Sequence, residues 1–239
     1  VYNYRELREE LKINGYAFKT QTDTEVVLYA YIHWGREALN KIKGMFAFGI
    51  LDVEENIIFL ARDHFGIKPL YYHKSGSTLV FSSEIRPILS FLHKDPGHTP
   101  DKIYEYLVFG VADTEGATMY EGVRQLDPAC HMEISLSGDF SLAIEKYWDL
   151  DPSGTRDISF EEAVKQVREM FLESVALHMR SDVPIGSALS GGIDSSSIVC
   201  AINYLYPDSE QHVFSYIADD ANISEEYWVD IVCRHTGAI

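Results

Sequence analysis

The hydrophobic pattern changes its period near Gly44, and the change divides the first half of the chain. Before Gly44, apolar residues recur every three or four positions, which predicts helices. Asn3 would cap the first helix, with Glu6 three residues later, and Thr22 or Asp23 would begin a second that ends at Gly35. After Gly44, short apolar and aromatic runs predict β-strands. These predicted strands span residues 45–51, 57–62, 70–73, 78–82, 130–136 and 142–148.

Tight polar connections between the first four strands predict an antiparallel meander. A mixed segment at 87–100 contains a predicted turn at Asp95-Pro96-Gly97, and a short helix is expected at 101–108. A further turn is expected at Ser137-Gly138, between the last two strands.

Residues 151–154, Asp-Pro-Ser-Gly, form the predicted linker. A capping box of Ser159 and Glu162 then opens a helix. Strands at 184–189 and 213–217 flank a helix that ends near residue 205, and this alternation predicts a parallel α/β sheet. The antiparallel pattern before the linker and the α/β alternation after it predict two domains, at 1–150 and 155–239.

Composition narrows the classes of partner. The chain has 239 residues, 46% of them hydrophobic, and 20 Lys and Arg against 37 Asp and Glu, a net charge of −17. Nucleic acid and anionic membranes need positive charge, so neither is expected as a partner. Three cysteines at no metal-like spacing argue against a disulfide framework or a zinc ribbon and favour the reducing cytoplasm. No apolar stretch approaches the length of a membrane span.

The strongest chemical signal is the segment 189–196, Leu-Ser-Gly-Gly-Ile-Asp-Ser-Ser. Paired glycines allow backbone N–H groups to face an anion, and the following helix adds a positive N-terminus. Serine hydroxyls could donate to phosphate, and Asp194 could hold Mg²⁺ beside it. The alternative is a strand-to-helix connection capped by Asp and Ser, but the serine-rich string after an apolar strand favours a phosphate site.

These motifs resemble known families. Residues 190–196 resemble the SGGxDSS pyrophosphate loop of N-type ATP pyrophosphatases. Four other segments resemble class II glutamine amidotransferase domains, at residues 1–7, 22–25, 44–48 and 61–72. His64 departs from that pattern, which more often has Arg or Pro there. An amidotransferase domain followed by this loop is similar to the glutamine-hydrolysing asparagine synthetase family.

The resemblance implies an α+β Ntn-hydrolase domain, an αββα sandwich, followed by a Rossmann-like α/β ATP pyrophosphatase domain. It implies ATP-dependent adenylation of aspartate, with release of pyrophosphate and AMP, and amidation by ammonia derived from glutamine. ATP and Mg²⁺ are the expected cofactors, and glutamine, aspartate and ATP are the expected small-molecule partners. A homodimer is possible as the oligomeric state.

Site residues are carried over position by position. Asp23 matches the aspartate that binds the α-amino group of glutamine, with a helix N-cap as the equal alternative. Leu189 and Tyr216 match positions that border adenine. The pyrophosphate cradle is matched by Ser190, Gly191, Gly192, Asp194, Ser195 and Ser196. Asp194 is the candidate Mg²⁺ ligand, whereas Arg62, Asp63 and residues 66–72 are expected to be structural.

The family nucleophile is a cysteine at the mature N-terminus, with its own amine as base. This chain begins with Val1, so no catalytic residue is assigned and we expect it to be unable to hydrolyse glutamine. Adjacency in a strand directs Cys130 and His131 to opposite faces, so a Cys–His dyad is not expected.

The oxyanion Asn-Gly pair would precede Val1 and further synthetase residues would follow Ile239, so we expect a chain cut at both ends. The alternatives are a β-lactam synthetase, a peptide-cyclising homologue, or a non-catalytic nucleotide-binding module.

Overall fold

The computed structural model describes residues 1–93, 96–112, 116–137, 140–220 and 222–239. These residues form two compact units, Val1–Ser153 and Gly154–Ile239. The turns predicted at 95–97 and 137–138 include Asp95 and Gly138, which lie outside the described residues.

The described residues of the first unit form four helices and seven strands. The helices are α1 (Tyr4–Ile13), α2 (Asp23–Trp34), α3 (Ile85–Leu92) and α4 (Pro100–Phe109), with a 3-10 turn at Gly35–Asn40. The strands are β1 (Ala47–Asp52), β2 (Ile57–Arg62), β3 (Tyr71–Ser75), β4 (Thr78–Ser82), β5 (Val123–Gln125), β6 (Cys130–Ser135) and β7 (Leu142–Lys146). The pattern did not predict α3, β5 or the 3-10 turn.

Two antiparallel sheets replace the single meander that the sequence predicted. One sheet has the order β1-β2-β6-β7 and the other β4-β3-β5. The meander prediction was wrong because the chain leaves the first sheet after Arg62 and enters the second only at Tyr71. The free edge of β2 then pairs with β6, which arrives some seventy residues later, with Ile58 opposite Ile134. Sequence order could not reveal this non-local pairing.

Strand alternation sorts the side chains of the four-stranded sheet to its two faces. Phe59 and Ala61 pack with the apolar residues of α1 and α2. Leu60, between them, packs with Met132 of β6 and Tyr72 of β3. The sheet is therefore covered by helices on one face and by the second sheet on the other, while α3 packs against β3 and β4.

One predicted cap forms and another does not. Ser159 Oγ accepts a hydrogen bond from the Glu162 amide at 3.2 Å, as predicted. Asn3 makes no cap hydrogen bond to α1. Its side chain instead donates to the Lys41 carbonyl and accepts from the Lys43 amide, which binds the start of α1 to a distant loop.

The second unit alternates helices with parallel strands. Its elements are α5 (Phe160–His178), β8 (Gly186–Ala188), α6 (Ile193–Leu205), β9 (His212–Phe214) and α7 (Glu226–Thr236). β8 and β9 pair in parallel, as the alternation predicted, but both are shorter than expected. Among the residues described in either unit, no helix has the length and apolarity needed to cross a bilayer.

Candidate functional site

Leu189 fixes the start of the loop between β8 and α6. Its side chain is buried, and its N–H donates to the Phe214 carbonyl at 2.9 Å. Its carbonyl accepts from Ser215 Oγ at 2.6 Å. Both partners lie at the end of β9 or just beyond it, so the loop opens at the carboxyl edge of the parallel pair. Ligands of open α/β sheets bind at this edge.

The structure explains why one glycine of the loop must be glycine, but not the other. Gly191 has a φ of +78°, and a Cβ there would lie 2.5 Å from Trp228 Cβ, so the backbone itself requires glycine. Gly192 has no positive φ, and an added Cβ would meet only Ser190 Oγ among the described residues, at 3.4 Å. Packing therefore explains Gly191 but leaves open space beside Gly192.

Two serines, Ser190 and Ser195, lie beside this space, and a third, Ser196, follows on α6. Ser190 Oγ is 3.1 Å from Ser195 Oγ, and Ser195 Oγ donates to the Gly192 carbonyl at 3.2 Å. The Ser190 amide also donates to Ser195 Oγ. Ser196 Oγ is buried and has no hydrogen-bond partner among the described residues. Hydroxyl and amide donors thus gather at the positive end of α6, where an anion is stabilised.

Asp194 and Tyr216 lie at the margins of the loop. Asp194 is in the first turn of α6, exposed, and borders a groove between α5 and α6. Tyr216 follows Ser215, and its side chain is 85% exposed. In the described parts of both units, no three His, Cys, Asp or Glu side chains converge as a metal site. Mg²⁺ on a nucleotide commonly needs only one or two protein carboxylates, because phosphate oxygens and water complete its shell, so Asp194 fits that task.

Asp23 is not the cap of α2. Thr22 holds that position, and its side chain accepts from the Glu25 amide. The Asp23 carboxylate is thereby released from capping, and its Oδ2 accepts from the Val1 ammonium at 2.7 Å. It borders a cavity of about 350 Å³, hereafter the Asp23 cavity. The other lining residues include Val1, Val27, residues 45–48, Lys68, Pro69 and Ser83.

Arg62 and Asp63 have structural contacts, as the sequence predicted. The Arg62 guanidinium donates to the carbonyls of Gly66, Lys68 and Leu126. The Asp63 carboxylate is fully buried and accepts only backbone N–H groups among its described contacts. Sequence reasoning missed that this hydrogen-bonded segment supplies Lys68 and Pro69 to the Asp23 cavity, because no spacing along the chain signals it.

The cysteines pack as core residues. Cys130 faces the second sheet, and burial raises the pKa of its thiol. His131 faces the helices instead and stacks on Phe59 at 5.3 Å between ring centroids, so the two side chains form no dyad. Cys200 and Cys233 pack against the small core of the second unit. Among the described residues, none of the three thiols has a basic side chain as hydrogen-bond partner.

Comparison with known families assigns the first unit. Residues 1–148 match the family model described as a glutamine amidotransferase domain, and the chain belongs to that family. Residues 166–239 match a second model, described as asparagine synthase. The resemblance drawn from the motifs is thus confirmed for both segments.

The names of curated relatives combine glutamine hydrolysis with asparagine synthesis. Asparagine synthetase (glutamine-hydrolysing) 3 of Bacillus subtilis (strain 168) is 35% identical over 92% of this chain and 35% of its own length. Asparagine synthetase (glutamine-hydrolysing) 1 of the same organism is 40% identical over 87% of the chain and 32% of its length. A putative glutamine-hydrolysing asparagine synthetase 2 of Methanocaldococcus jannaschii is 31% identical over 97% of the chain and 44% of its length. The chain spans between about a third and just under a half of the length of these relatives.

Proposed function

We propose that this chain forms part of a glutamine-hydrolysing asparagine synthetase. Its first unit binds glutamine, from which ammonia is released, and its second unit binds ATP. The carboxylate of aspartate attacks the α-phosphorus of ATP, which forms an acyl-adenylate and releases pyrophosphate. Ammonia then attacks the acyl carbon, and AMP leaves as the amide forms. The order of the two matched families and the names of the relatives support this assignment.

The open space at Gly192 is the observation that carries the ATP site. Gly191 is required by the fold, whereas nothing in the packing of the described residues requires Gly192. At the start of a helix and beside hydroxyl donors, such a glycine lets a ligand approach the backbone closely. The hydroxyls of Ser190 and Ser195 lie beside this approach, and polyphosphate is a ligand that uses such donors.

The remaining ATP residues take supporting roles in this proposal. Leu189 and Tyr216 border the adenine, and Asp194 holds Mg²⁺, which neutralises charge on the phosphates. The fold that this implies is an αββα Ntn-type sandwich in the first unit and a Rossmann-like sheet in the second. The setting is the cytoplasm, with no nucleic acid or membrane partner, and the net charge of −17 supports that exclusion.

Asp23 binds the α-ammonium of glutamine in the first unit. Its carboxylate borders the Asp23 cavity, and a carboxylate is a strong acceptor for a primary ammonium. Since Thr22 caps α2, Asp23 has no competing structural task at the helix start. The cavity beside it, of about 350 Å³, is large enough for an amino acid. None of the three internal cysteines is assigned as the glutaminase nucleophile.

Gly192→Ala in the enzyme expressed from its complete open reading frame tests the ATP site. The added methyl group would enter the proposed phosphate seat without straining the backbone. We expect aspartate-dependent pyrophosphate release to fall by about 100-fold, the scale of losing an oriented charge-stabilising contact. The matched control is Gly154→Ala, since Gly154 also has open space at its Cβ and no positive φ.

Four outcomes would contradict the proposal. Pyrophosphate release that survives Gly192→Ala would exclude this loop as the phosphate seat. An equal loss in Gly154→Ala would show that the effect is not local. A wild-type enzyme that neither binds Mg-ATP nor releases pyrophosphate with aspartate would favour a non-catalytic module, and release with another acid would favour a different ligase.

A further inference from the structure

Asp63 is buried in the first unit without a side-chain cation among its described hydrogen-bond partners. A carboxylate taken out of water must be satisfied by hydrogen bonds, and backbone N–H groups are strong donors to it. Its Oδ1 accepts from Phe65 and Ile67, at 3.1 and 3.0 Å. Its Oδ2 accepts from Lys68 at 2.9 Å and from Phe46 at 3.3 Å.

The two donors to Oδ2 lie on different walls of the Asp23 cavity. Phe46 belongs to the segment that leads into β1, and Lys68 belongs to the connection between the two sheets. Both line the cavity, together with their neighbours Ala47 and Pro69. One buried oxygen therefore joins two walls that are some twenty residues apart in sequence.

Hydrogen bonds of Arg62 and of the Asp63 backbone also link this strand end to Phe46 and Lys68. The β1–β2 ladder ends at the pair Ala47 and Arg62, one residue short of Phe46 and Asp63. Beyond that pair, the Asp63 amide donates to the Phe46 carbonyl at 2.9 Å. Arg62 Nε donates to the Lys68 carbonyl at 2.8 Å. The ladder itself reaches the cavity lining at Ala47, and these contacts extend its order to Phe46 and Lys68.

We infer that Asp63 is a positioning residue for the amino-acid cavity, one that sets the spacing of its walls around the substrate. The inference rests on the proposed function, because it takes glutamine as the ligand of the Asp23 cavity. Asp63 itself does not line the cavity. It acts through the Phe46 and Lys68 backbone, so its replacement should change glutamine binding more than any later step.

Asp63→Asn is the test, in the enzyme expressed from its complete open reading frame. The asparagine amide has only one acceptor oxygen. Its NH₂ group must therefore replace one carboxylate oxygen and face two backbone N–H donors, with which it cannot form hydrogen bonds. We expect the KM for glutamine to rise about tenfold or more while kcat changes less, because small displacements of a binding wall are costly. Ammonium chloride supplies the nitrogen without the cavity, so ammonia-dependent synthesis should stay within about twofold of wild type.

Thr118→Val is the matched control for a purely structural effect. Thr118 is also buried and polar, donates to the Val123 carbonyl, and lies away from the cavity lining. It should lower the thermal midpoint without raising the KM for glutamine. Arg62→Lys is a second variant, since lysine cannot reproduce the planar set of donors to three carbonyls, and it should raise the same KM.

The outcomes separate the inference from the proposed function. Wild-type enzyme that makes product from ammonia but not from glutamine would refute the glutamine site itself. Active wild type with an unchanged KM in Asp63→Asn would overturn the inference alone. An equal KM rise in Thr118→Val, or failure of both Asp63→Asn and Arg62→Lys to fold, would assign Asp63 to general stability and also overturn it.

Discussion

Helices α2 and α5 both carry apolar residues at helical spacing, but their surroundings differ. In α2, Val26 and Ala30 are completely buried against α1 and the four-stranded sheet. In α5, Val175 is buried, whereas Val167 and Met170 are 67% and 68% exposed. Part of the apolar side of α5 instead borders, with α6, a groove of about 970 Å³. Periodicity predicts an apolar stripe, but burial requires an element that packs on it.

The contrast extends from single helices to the units that contain them. The first unit has two large buried clusters, one on each face of its four-stranded sheet. The second unit has two small clusters of three or four buried residues. Since burial of apolar surface is the main favourable contribution to folding, the described part of the second unit should contribute less stability. Paired substitutions in the two units test that difference.

The largest effect is expected for Phe59→Ala. Phe59 is 1% exposed, and its ring lies 5.0 Å from Tyr31 and 5.3 Å from His131, between centroids. Loss of a buried phenyl ring should lower the free energy of unfolding of the first unit by roughly 3–5 kcal/mol. Urea unfolding followed by hydrogen exchange, resolved by unit, would measure it.

Phe171→Ala is the matched variant in the second unit. Phe171, on α5, is 37% exposed and lines the groove. Its loss should lower the free energy of unfolding by roughly 1–2 kcal/mol, since the ring is only partly removed from water and its loss leaves no closed cavity. Similar losses for the two phenylalanines would remove the contrast between the units.

A smaller effect, dependent on pH, is expected at His131 in the first unit. Burial against Phe59 lowers the pKa of His131 below its ordinary value of 6.5. The carboxylates of Glu133 and Glu145, each 3.8 Å away, oppose this shift, whereas the charge of Arg36 adds to it. Below pH 6.5 the unfolded chain therefore binds a proton that the folded unit does not. The free energy of unfolding should fall as pH decreases through this window, by at most about 1.4 kcal/mol per pH unit.

His131→Phe isolates this contribution. Phenylalanine keeps an aromatic ring on Phe59 but cannot be protonated. Urea midpoints of the first unit, measured from pH 7.5 to 5, should depend less on pH in the variant than in wild type. His64, whose pKa is also lowered by burial, would supply part of the remaining slope. Equal slopes in the two proteins would show that His131 does not contribute.

Sequence predictions succeeded where the contact joins residues close in the chain and failed where it joins distant ones. The Ser159 cap involves a residue three positions away, and it forms. The alternation that separates Cys130 from His131 is also local, and it holds. The meander failed because β2 pairs with a strand some seventy residues later. The roles of Phe46 and Lys68 in the cavity depend on the same kind of distant contact, through Asp63, which has no signal in spacing.

The smallest expected effect concerns the two helix caps, Thr22 and Ser159. Thr22 Oγ1 accepts from Glu25 N at 3.4 Å in the first unit, and Ser159 Oγ accepts from Glu162 N at 3.2 Å in the second. Each alanine variant should lower the free energy of unfolding of its own unit by about 1 kcal/mol, because a cap satisfies an otherwise unpaired amide. A cap is local and needs no packed face, so the two costs should agree even though the cores differ. If Ser159→Ala cost nothing while Thr22→Ala cost the full amount, the start of α5 would be unstable in solution, and the contrast between the units would extend from packing to the helix itself.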